Sequence, residues 1–341
     1  MINVLVADDS AFMRQIFKKT INRDPDLNVV DTARNGKDAI RKTQKLNPDV
    51  ITLDIEMPEK NGIQTLKQIL EENPNLPVIM ISAIDNKKTI VQALEIGAFD
   101  FIPKPSGNIS LNIDSIEKDI IKKIKAAYKS SNQKTKLSKQ KEKQSNIITG
   151  QKKFSLVAVG TSSGGPRALK KLIKKFPEKI PAALLIVQHM PEGFTESLAR
   201  HLNQEAGFPI KEAKEGDKIT PGEGLVAPGN YHLEINQNKV IELNQKPKKW
   251  GVRPCIDYMM ISAARVYKEQ LIGVILTGMG HDGAQGMEEI KKYNGYGIVE
   301  SRETALVHGM PSSTIKKNAY DTIQPLGQIP KTIMKLLKGE N

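Results

Sequence analysis

The chain has 341 residues, a length for which two domains with separate hydrophobic cores are expected. Hydrophobic residues make up 39% of the chain and charged residues 26%, which excludes wholesale disorder and a typical membrane protein. Apolar runs are shorter than the roughly 18 residues of a membrane span. The opening MINVLVADDS carries two acids where a signal peptide is apolar. We therefore expect a cytoplasmic protein without membrane insertion, and the single cysteine agrees with a reducing compartment.

The net charge of +13 is unevenly distributed along the chain. Residues 1–128 hold 18 basic and 18 acidic side chains, residues 129–153 hold 8 and 1, and residues 154–341 hold 25 and 19. The middle segment is rich in Lys, Gln and Ser, so we predict a flexible basic linker there. A basic arm that grips nucleic acid is the alternative. Because the segment has no aromatic residue to stack on bases, we expect no nucleic-acid partner.

Residues 1–128 alternate short apolar runs with amphipathic stretches. The apolar runs are INVLVA, LNVVDT, DVITLD, PVIMIS and FDFIP. The amphipathic stretches are AFMRQIFKKTI, GKDAIRKTQKL, GIQTLKQILEE, KKTIVQALEIG and SIEKDIIKKIKAAY. Such short, continuously apolar runs suit parallel strands that are covered on both faces. The pattern predicts a doubly wound, flavodoxin-like α/β domain with a five-stranded parallel sheet.

Polar side chains follow four of these predicted strands. Asp8 and Asp9 come after the first strand, Asp54 ends the third, Ser82 ends the fourth and Lys104 follows the fifth. Since ligands bind at the carboxyl ends of parallel strands, we expect these side chains to lie together. Three carboxylates repel one another unless a cation is present, and oxygen ligands suit Mg²⁺, so a phosphoryl-transfer site is plausible. For Asp9 alone, capping of the following helix is the alternative.

This pattern of an acidic pair, a central aspartate, a hydroxyl and a lysine before proline resembles the receiver domain of two-component response regulators. The resemblance covers residues 1–128. It implies that Asp54 is the phosphoacceptor. It also implies that Asp8, Asp9, Asp54 and the backbone carbonyl of Glu56 bind the Mg²⁺ required for phosphorylation.

The same resemblance assigns further positions around the phosphoryl group. Ser82 and Lys104 would hold the transferred group, and Lys104 would be joined to Pro105 by a cis peptide bond. Phe101 falls where receivers have their switch aromatic. An ordinary core position is the alternative for Phe101, since a strand would bury a phenylalanine in any case.

The α/β pattern resumes in residues 154–341. The apolar runs are FSLVAVG, AALLIVQH, QLIGVILTG and YGIVES, and the amphipathic stretches are PRALKKLIKKF, GFTESLARHLNQ and GAQGMEEIKKY. Between them, GEGLVAPGNYHLEINQNKVIELN consists of short strand-like pieces joined by turns. We predict a second, mostly parallel α/β domain with a short antiparallel section.

The first run of this domain leads into Gly160-Thr161-Ser162-Ser163-Gly164, which fits the G-x-S-x-G pattern. In this turn the glycines relieve crowding between strand and helix, and the central serine is left exposed as a nucleophile. Pro166 suits the first turn of the following helix. A phosphate-binding turn, or a simple change of chain direction, is the alternative.

A nucleophilic serine needs a base, and the base needs an orienting acid. His189 follows the next predicted strand, and Asp282 follows the strand LIGVILTG in a glycine-rich loop. Both residues are expected at the same edge of the sheet as Ser162. The chain order Ser, His, Asp differs from the Ser, Asp, His order of α/β-hydrolases, so a standard lipase is not expected.

The remaining histidines offer alternative roles. His201 lies in a helical pattern and His232 in a strand-rich segment, which indicates structural roles for both. His281 and His308 could join Asp282 in a zinc site. Because the chain has no HExxH or comparable helical spacing, a catalytic triad is preferred.

The segments VAVGTSSGG, IVQHMP, APGNYHLEI, GVRPCIDYMM and ILTGMGHDGAQGM, in this order behind a receiver-like domain and a linker, resemble the CheB-type chemotaxis methylesterases. The resemblance implies Ser162 as nucleophile, His189 as general base and Asp282 as orienting acid. More weakly, it implies oxyanion stabilisation by Ser163 and by the backbone at Met279.

Two positions depart from the family pattern. His281 stands where the family commonly has asparagine, which puts the local hydrogen bonding in doubt. Cys255 stands where the family often has serine after Arg-Pro, which puts in doubt any role of that hydroxyl. Neither departure changes the proposed triad.

The resemblance implies a phosphorylation-activated hydrolase of glutamate methyl esters on methylated chemoreceptors, with glutamine deamidation as a further activity. A chemotaxis histidine kinase would be the phosphodonor, Mg²⁺ would serve only the receiver domain, and the esterase reaction would need no cofactor. A receiver that controls a DNA-binding output is the alternative. The strand-rich second half has no helix-turn-helix pattern that favours it.

Overall fold

A computed structural model describes residues 1–82, 86–104, 113–134 and 154–339. The chain divides into two compact units, Met1–Leu137 and Ser138–Asn341. Among the described residues, no helix combines the length and the apolar character that crossing a bilayer requires.

The first unit contains the predicted five-stranded parallel sheet. The strands are β1 (Ile2–Ala7), β2 (Leu27–Ala33), β3 (Val50–Asp54), β4 (Val78–Ser82) and β5 (Asp100–Pro103), in the spatial order β2-β1-β3-β4-β5. The helices are α1 (Ala11–Asn22), α2 (Gly36–Leu46), α3 (Gly62–Glu72), α4 (Lys87–Ile96) and α5 (Ile113–Lys134). All neighbouring strands are parallel, which confirms the predicted doubly wound α/β fold.

Local sequence explains where these elements begin. Every residue of β3 and β4 is buried, as expected for central parallel strands with helices on both faces. The side chains of Asn35 and Asn61 accept backbone N–H groups at the start of α2 and α3, and Gln64 completes a capping box with Asn61.

Helix α5 is longer than the sequence pattern predicts. It continues to Lys134, so the first six residues of the predicted linker, 129–134, are helical. Ser130 is buried in this extension, and the hydroxyl of Ser131 donates to the carbonyl of Asn75 at 3.1 Å. Residues 135–153 of the predicted linker lie outside the described part of the chain.

The second unit has a larger sheet and a separate hairpin. Its strands are β6 (Leu156–Thr161), β7 (Ala183–Gln188), β8 (Ile210–Glu212), β9 (Gly224–Val226), β10 (His232–Ile235), β11 (Ile241–Asn244), β12 (Leu271–Ile275), β13 (Tyr296–Glu300) and β14 (Thr322–Gln324). The main sheet has the order β14-β13-β12-β6-β7-β9-β8, and every pairing in it is parallel.

Helices surround this sheet. They are α6 (Gly165–Ile173), α7 (Phe194–Glu205), α8 (Ile256–Tyr267), α9 (Ala284–Lys292), α10 (Gly309–Lys316) and α11 (Ile329–Lys338). The predicted antiparallel section is confirmed for β10 and β11, which pair with each other. Strand β9, predicted as part of the same section, instead pairs in parallel with β7 and β8. Its three residues carry too little pattern to reveal their partner.

Helix α8 lies in the core of the second unit and approaches its neighbours closely at glycines. A Cβ added to Gly160 of β6 would lie 2.4 Å from the Ile256 side chain. A Cβ added to Gly286 of α9 would lie 2.5 Å from Cβ of Met260. The contact at Gly286 cannot be relieved by a side-chain rotation, because the Met260 Cβ is fixed to the backbone.

We expect Gly286→Ala to lower the free energy of unfolding of the second unit by about 1–3 kcal/mol, because the added methyl overpacks the α8–α9 contact. Trp250, the single tryptophan of the chain, reports urea unfolding of this unit by fluorescence. Gly327→Ala is the control, since its added Cβ would meet only Nζ of Lys175, at 3.6 Å. Equal unfolding free energies for the two variants would contradict the prediction.

Candidate phosphorylation and active sites

The carboxyl ends of β1 and β3 bring three acids together in the first unit. Asp8, Asp9 and Asp54 each offer an oxygen within 4.8 Å of the others. Asp8 and Asp54 are buried and Asp9 is exposed. Asp9 does not cap α1, because the cap is Ser10, whose hydroxyl accepts the N–H of Met13. The capping alternative for Asp9 is therefore wrong.

Lys104 lies against two of the acids. Its Nζ donates to Oδ2 of Asp54 at 2.7 Å and lies 3.0 Å from Oδ2 of Asp8. The pKa of Asp54 is raised to about 6, because burial and the negative charge of Asp8 outweigh the hydrogen bond from Lys104, which lowers it. Burial acts to lower the pKa of Lys104, but the hydrogen bond to Asp54 and the negative charges of Asp54 and Asp8 leave it raised. The site thus holds more negative charge than Lys104 alone balances.

These residues fit a hard divalent cation. The available donors are carboxylate oxygens, which Mg²⁺ prefers, and the exposed position of Asp9 leaves room for water ligands. Oδ2 of Asp8 is buried without a hydrogen-bond partner among the described residues, although Lys104 lies within ion-pair distance. A cation would complete its interactions. The N–H of Glu56 donates to Oδ1 of Asp54 at 3.4 Å, and its carbonyl stays a predicted ligand.

The other receiver positions lie on the neighbouring strands. Ser82 is the buried last residue of β4, and its carbonyl accepts the backbone N–H of Lys104 at 2.7 Å. Phe101 is buried in β5, with Nζ of Lys123 at 5.5 Å from its ring centroid. Its predicted switch role and its core role both remain compatible with this position. Pro105, and with it the predicted cis bond, lies outside the described residues.

In the second unit, Ser162 directly follows β6 in a tight turn. Gly164 has φ of 78°, a left-handed conformation that favours glycine, and precedes α6. Pro166 lies in the first turn of α6, as predicted. The N–H of Ser162 donates to the carbonyl of Thr277 at 3.0 Å, and the side chain is partly exposed. The serine therefore has a fixed backbone at a partly exposed position.

His189 directly follows β7, the neighbour of β6, and contacts the predicted acid. Its Nε2 lies 2.8 Å from Oδ2 of Asp282. Because an ionised carboxylate can only accept a hydrogen bond, Nε2 carries the proton in this pair. Nδ1 is then the basic nitrogen. The structure describes no hydrogen bond between Ser162 and His189, and such contacts often tighten only when substrate binds.

Asp282 is buried and accepts hydrogen bonds from the start of α8. The Sγ–H of Cys255 donates at 3.0 Å, and the N–H groups of Ile256 and Asp257 donate at 2.7 and 2.9 Å. Burial acts to raise the pKa of Asp282, but the bonds from His189, Cys255 and Ile256 hold it below its ordinary value. Asp282 is therefore ionised at neutral pH.

Cys255 thus has a contact that the sequence did not reveal. Burial, followed by the charge of Asp282, raises the pKa of its thiol well above the ordinary range. The thiol stays protonated and donates to the carboxylate. Cysteine in place of the family serine therefore keeps a hydrogen-bond donor at this position.

The zinc alternative placed His281 and His308 with Asp282, but no group of described side chains close enough to share a metal contains either histidine. Cys255, Asp257 and Asp282 lie close enough to share a metal. However, Asp257 already accepts from Gly283 and Gly286 N–H groups and pairs with Lys249, and the thiol is protonated. The ring of His281 packs against Trp250 instead, with 5.0 Å between the ring centroids.

Two buried polar residues that the sequence analysis did not select hold the turn around Ser162. Nε2 of Gln188 donates to the carbonyls of Ser162 and His189 at 3.0 and 3.2 Å. Thr277 accepts the Ser162 N–H, and its hydroxyl donates to the carbonyl of Ser163 at 2.9 Å. Gln188 was recognisable as a polar residue at the end of a buried strand. Thr277 was not, because its partners are more than 100 residues away in the chain.

The predicted oxyanion residues also lie beside Ser162. A Cβ added to Gly278 would lie 2.9 Å from Cβ of Ser162, so the loop that carries Met279 passes close to the serine. Among the described residues, the backbone N–H of Met279 has no hydrogen-bond acceptor. Ser163 is buried in the turn itself. This geometry is compatible with the predicted oxyanion role of both residues.

Two family models match the chain, the response regulator receiver domain over residues 4–113 and the CheB methylesterase over residues 157–333. The chain is 45% identical over 346 residues to the protein-glutamate methylesterase/protein-glutamine glutaminase of Pyrococcus abyssi, and the alignment covers 99% of this chain and 94% of that protein. It is 41% identical over 342 residues to the protein of the same name from Thermotoga maritima, with 99% of each covered.

A solved structure is also similar to the second unit. The crystal structure of the Thermotoga maritima CheB methylesterase catalytic domain matches with a TM-score of 0.52 and 41% sequence identity. The match covers 54% of this chain and 98% of that chain.

We expect Mg²⁺ to raise the unfolding temperature of the first unit, because the cation would relieve repulsion among Asp8, Asp9 and Asp54. The measurement is a thermal unfolding scan with Mg²⁺ and then with excess chelator. Asp9→Asn should reduce the shift. Glu71→Gln removes the same charge from an exposed position on α3 and should keep it. A shift that is equal in the two variants would contradict the assigned cation site.

We expect Cys255→Ala to raise the pKa of Asp282, because the carboxylate loses the Sγ–H donor 3.0 Å from Oδ1. Cys255→Ser retains a donor, so its Asp282 pKa should stay below the ordinary value. A ¹³C NMR titration of the labelled side-chain carboxyl measures both. An unchanged pKa in Cys255→Ala would show that the thiol does not stabilise the charged form.

Proposed function

Because the chain belongs to the CheB methylesterase family and carries a response regulator receiver domain before the methylesterase domain, we propose that Ser162 hydrolyses glutamate methyl esters on chemoreceptors under the control of phosphorylation at Asp54. The enzyme is a protein-glutamate methylesterase and protein-glutamine glutaminase, as its relatives are named. The observation that carries the assignment is the His189–Asp282 hydrogen bond at the strand edge where Ser162 lies.

The first half of the reaction forms an acyl-enzyme. Nδ1 of His189 takes the proton from the Ser162 hydroxyl while Oγ attacks the carbonyl carbon of the ester. Asp282 holds Nε2–H and stabilises the imidazolium that results. When the tetrahedral intermediate collapses, the bond to the methoxy group breaks, and His189 returns the proton so that methanol leaves.

The second half releases the product. Water attacks the glutamyl ester of Ser162, and His189 takes a proton from the water as it did from the serine. The bond to Oγ then breaks as His189 returns the proton to Ser162, and the glutamate side chain leaves as a carboxylic acid that loses its proton to the solvent. The N–H groups near Met279 and Ser163 stabilise the oxyanion in both halves.

The same residues can hydrolyse a primary amide. In glutamine deamidation, His189 donates its proton to departing ammonia rather than to methanol. Methoxide is the better leaving group, so we expect the ester to react faster than the amide. The requirement for an acyl-enzyme on Ser162 is the same for both substrates.

The receiver domain requires Mg²⁺ for phosphorylation. When the ion is bound, it offsets negative charge on the transferred group. Asp54 provides the attacking carboxylate oxygen. Asp8, Asp9, Asp54 and the backbone carbonyl of Glu56 would hold the cation, and the Lys104 ammonium and the Ser82 hydroxyl would hold the phosphoryl oxygens. A chemotaxis histidine kinase is the phosphodonor, and both proteins act in the cytoplasm.

The alternative of a DNA-binding output is not favoured. The methylesterase family model matches residues 157–333, which is nearly the whole second unit, so the output of the receiver is a hydrolase.

We expect Ser162→Ala to reduce methanol release from radiolabelled methylated receptor membranes by about 10³-fold or more, since the nucleophile is lost. Ser155→Ala is the matched control, because Ser155 precedes β6 whereas Ser162 follows it. Phosphodonor with Mg²⁺ should stimulate the wild type and the Asp49→Asn control, in which the acid lies before β3. It should not stimulate Asp54→Asn.

Undiminished release by Ser162→Ala would reject the nucleophile. Equal stimulation of Asp54→Asn and the wild type would reject the phosphoacceptor. Absence of release by every variant, including the wild type, would reject the esterase assignment and leave a deamidase or a binding output.

A further inference from the structure

Glu300 is a buried carboxyl group that the reaction described above does not use. It ends β13, and its side chain is 0% exposed. Oε2 accepts the backbone N–H of Thr277 at 2.8 Å, and Oε1 accepts the hydroxyl of Thr304 at 2.9 Å. Among the described residues, no Lys, Arg or His forms an ion pair with it. Burial raises its pKa to about 7, against these two hydrogen bonds and the charge of Lys171, which lower it.

Thr277 connects this carboxyl group to the nucleophile turn. The Thr277 carbonyl accepts the N–H of Ser162 and the hydroxyl of Thr161, each at 3.0 Å. The Thr277 hydroxyl donates to the carbonyl of Ser163 at 2.9 Å. One residue therefore binds three consecutive residues of the turn, and its own N–H is bound by Glu300.

The same segment carries the predicted oxyanion loop. Thr277 is followed by Gly278, which packs against Cβ of Ser162, and then by Met279. The hydroxyl of Thr277 also accepts the N–H of Val307 at 2.9 Å, which ties in the chain that leads to α10. A shift of Thr277 would move the serine and the oxyanion loop relative to each other.

Burial of a carboxyl group without an ion pair costs more desolvation free energy than burial of an amide or a hydroxyl. Oε2 of Glu300 nevertheless supplies the acceptor for the Thr277 N–H, which would otherwise be buried without a hydrogen bond. Glu300 therefore fixes the position of Thr277, and a side chain of the same shape with an acceptor oxygen can do the same.

We propose that Glu300 is a positioning residue for the esterase reaction, which acts through Thr277 to hold Ser162 and the Met279 loop in register. The inference rests on the proposed role of Ser162. Glu300 does not contact the reacting atoms. Its effect is on the geometry of attack, where misplacement of a catalytic group by about 1 Å costs on the order of 100-fold in rate.

The test compares two substitutions at Glu300 on the full chain. Glu300→Leu fills the volume without an acceptor and should lower kcat about 10- to 100-fold with little change in KM. Glu300→Gln can accept from Thr277 through its oxygen and donate to Thr304 through its nitrogen. It should restore kcat to near the wild-type value. Both are measured as methanol release from methylated receptor membranes, per folded enzyme determined by Trp250 fluorescence.

Two controls separate positioning from general loss of stability. Leu202→Ala opens a cavity in the core beneath α7, where Leu202 is 0% exposed, and should destabilise the second unit without a comparable loss of kcat. Thr304→Val removes the second partner of Glu300 and the acceptor of the Leu326 N–H, but it leaves the bond from Thr277 to Glu300 in place and should retain most of the activity. Loss of kcat in Leu202→Ala equal to that in Glu300→Leu would overturn the proposal.

The outcomes also distinguish this proposal from the assignment of the nucleophile. Wild-type kcat in folded Glu300→Leu, together with inactive Ser162→Ala, overturns the role of Glu300 and leaves the nucleophile assignment intact. Failure of Glu300→Gln to recover activity overturns the acceptor explanation. Retained activity in Ser162→Ala overturns both proposals.

Discussion

The parallel pairing of β6 with β7 on one side and β12 on the other is the constraint on which the active site depends. Thr161 is in register with Gln188, and Gly160 is in register with Ile275. The residues that follow these strands therefore leave the sheet at one edge. Ser162 and His189 are each the first residue after a strand, so backbone hydrogen bonds of the sheet determine their separation. Asp282 reaches the same edge through a longer loop after β12.

The pKa values of two buried aspartates at strand edges, Asp282 and Asp54, are shifted in opposite directions. Asp282 accepts from a protonated thiol, an imidazole and backbone N–H groups, and its pKa is lowered in spite of burial. Asp54 is also buried, but it has Asp8 beside it, and its pKa is raised to about 6 even though Lys104 donates to it. The first arrangement is complete without a ligand and suits a permanent orienting charge. The second has unbalanced negative charge and suits a site that a divalent cation completes.

The turn around Ser162 depends on buried polar contacts rather than on apolar packing. Gln188 bridges the backbone of the nucleophile and of the base, while Thr277 and Glu300 hold the turn from the side of β12 and β13. Paired buried polar groups specify one geometry, at a cost in desolvation, although Oε1 of Gln188 has no hydrogen-bond partner among the described residues. These contacts fix the backbone of Ser162, which is itself partly exposed. The close approach of Gly278 to Ser162 has the same consequence for the neighbouring loop.

Much of this protein was predictable from local sequence because its signals are local. Apolar runs of strand length, each followed by an amphipathic stretch, determined the alternation of strands and helices in both units. The G-x-S-x-G turn and polar residues at predicted strand ends pointed to Ser162, His189, Asp54 and Lys104, since the ends of parallel strands share an edge. Asp8, Asp9 and Asp282 were selected on the same ground, whereas the backbone carbonyl of Glu56 was predicted only from the family resemblance.

Other features were decided only by tertiary structure. The extension of α5 to Lys134 and the pairing of β9 with β7 depend on burial against distant elements, and three-residue strands carry almost no pattern of their own. The bond from Cys255 to Asp282 and the chain of contacts from Glu300 through Thr277 to Ser162 join residues 23 to 115 positions apart. The periodicity of apolar residues in the sequence indicates which face of a helix or strand is buried. It does not record which polar groups meet across the sheet, because that depends on the packing of elements far apart in the chain.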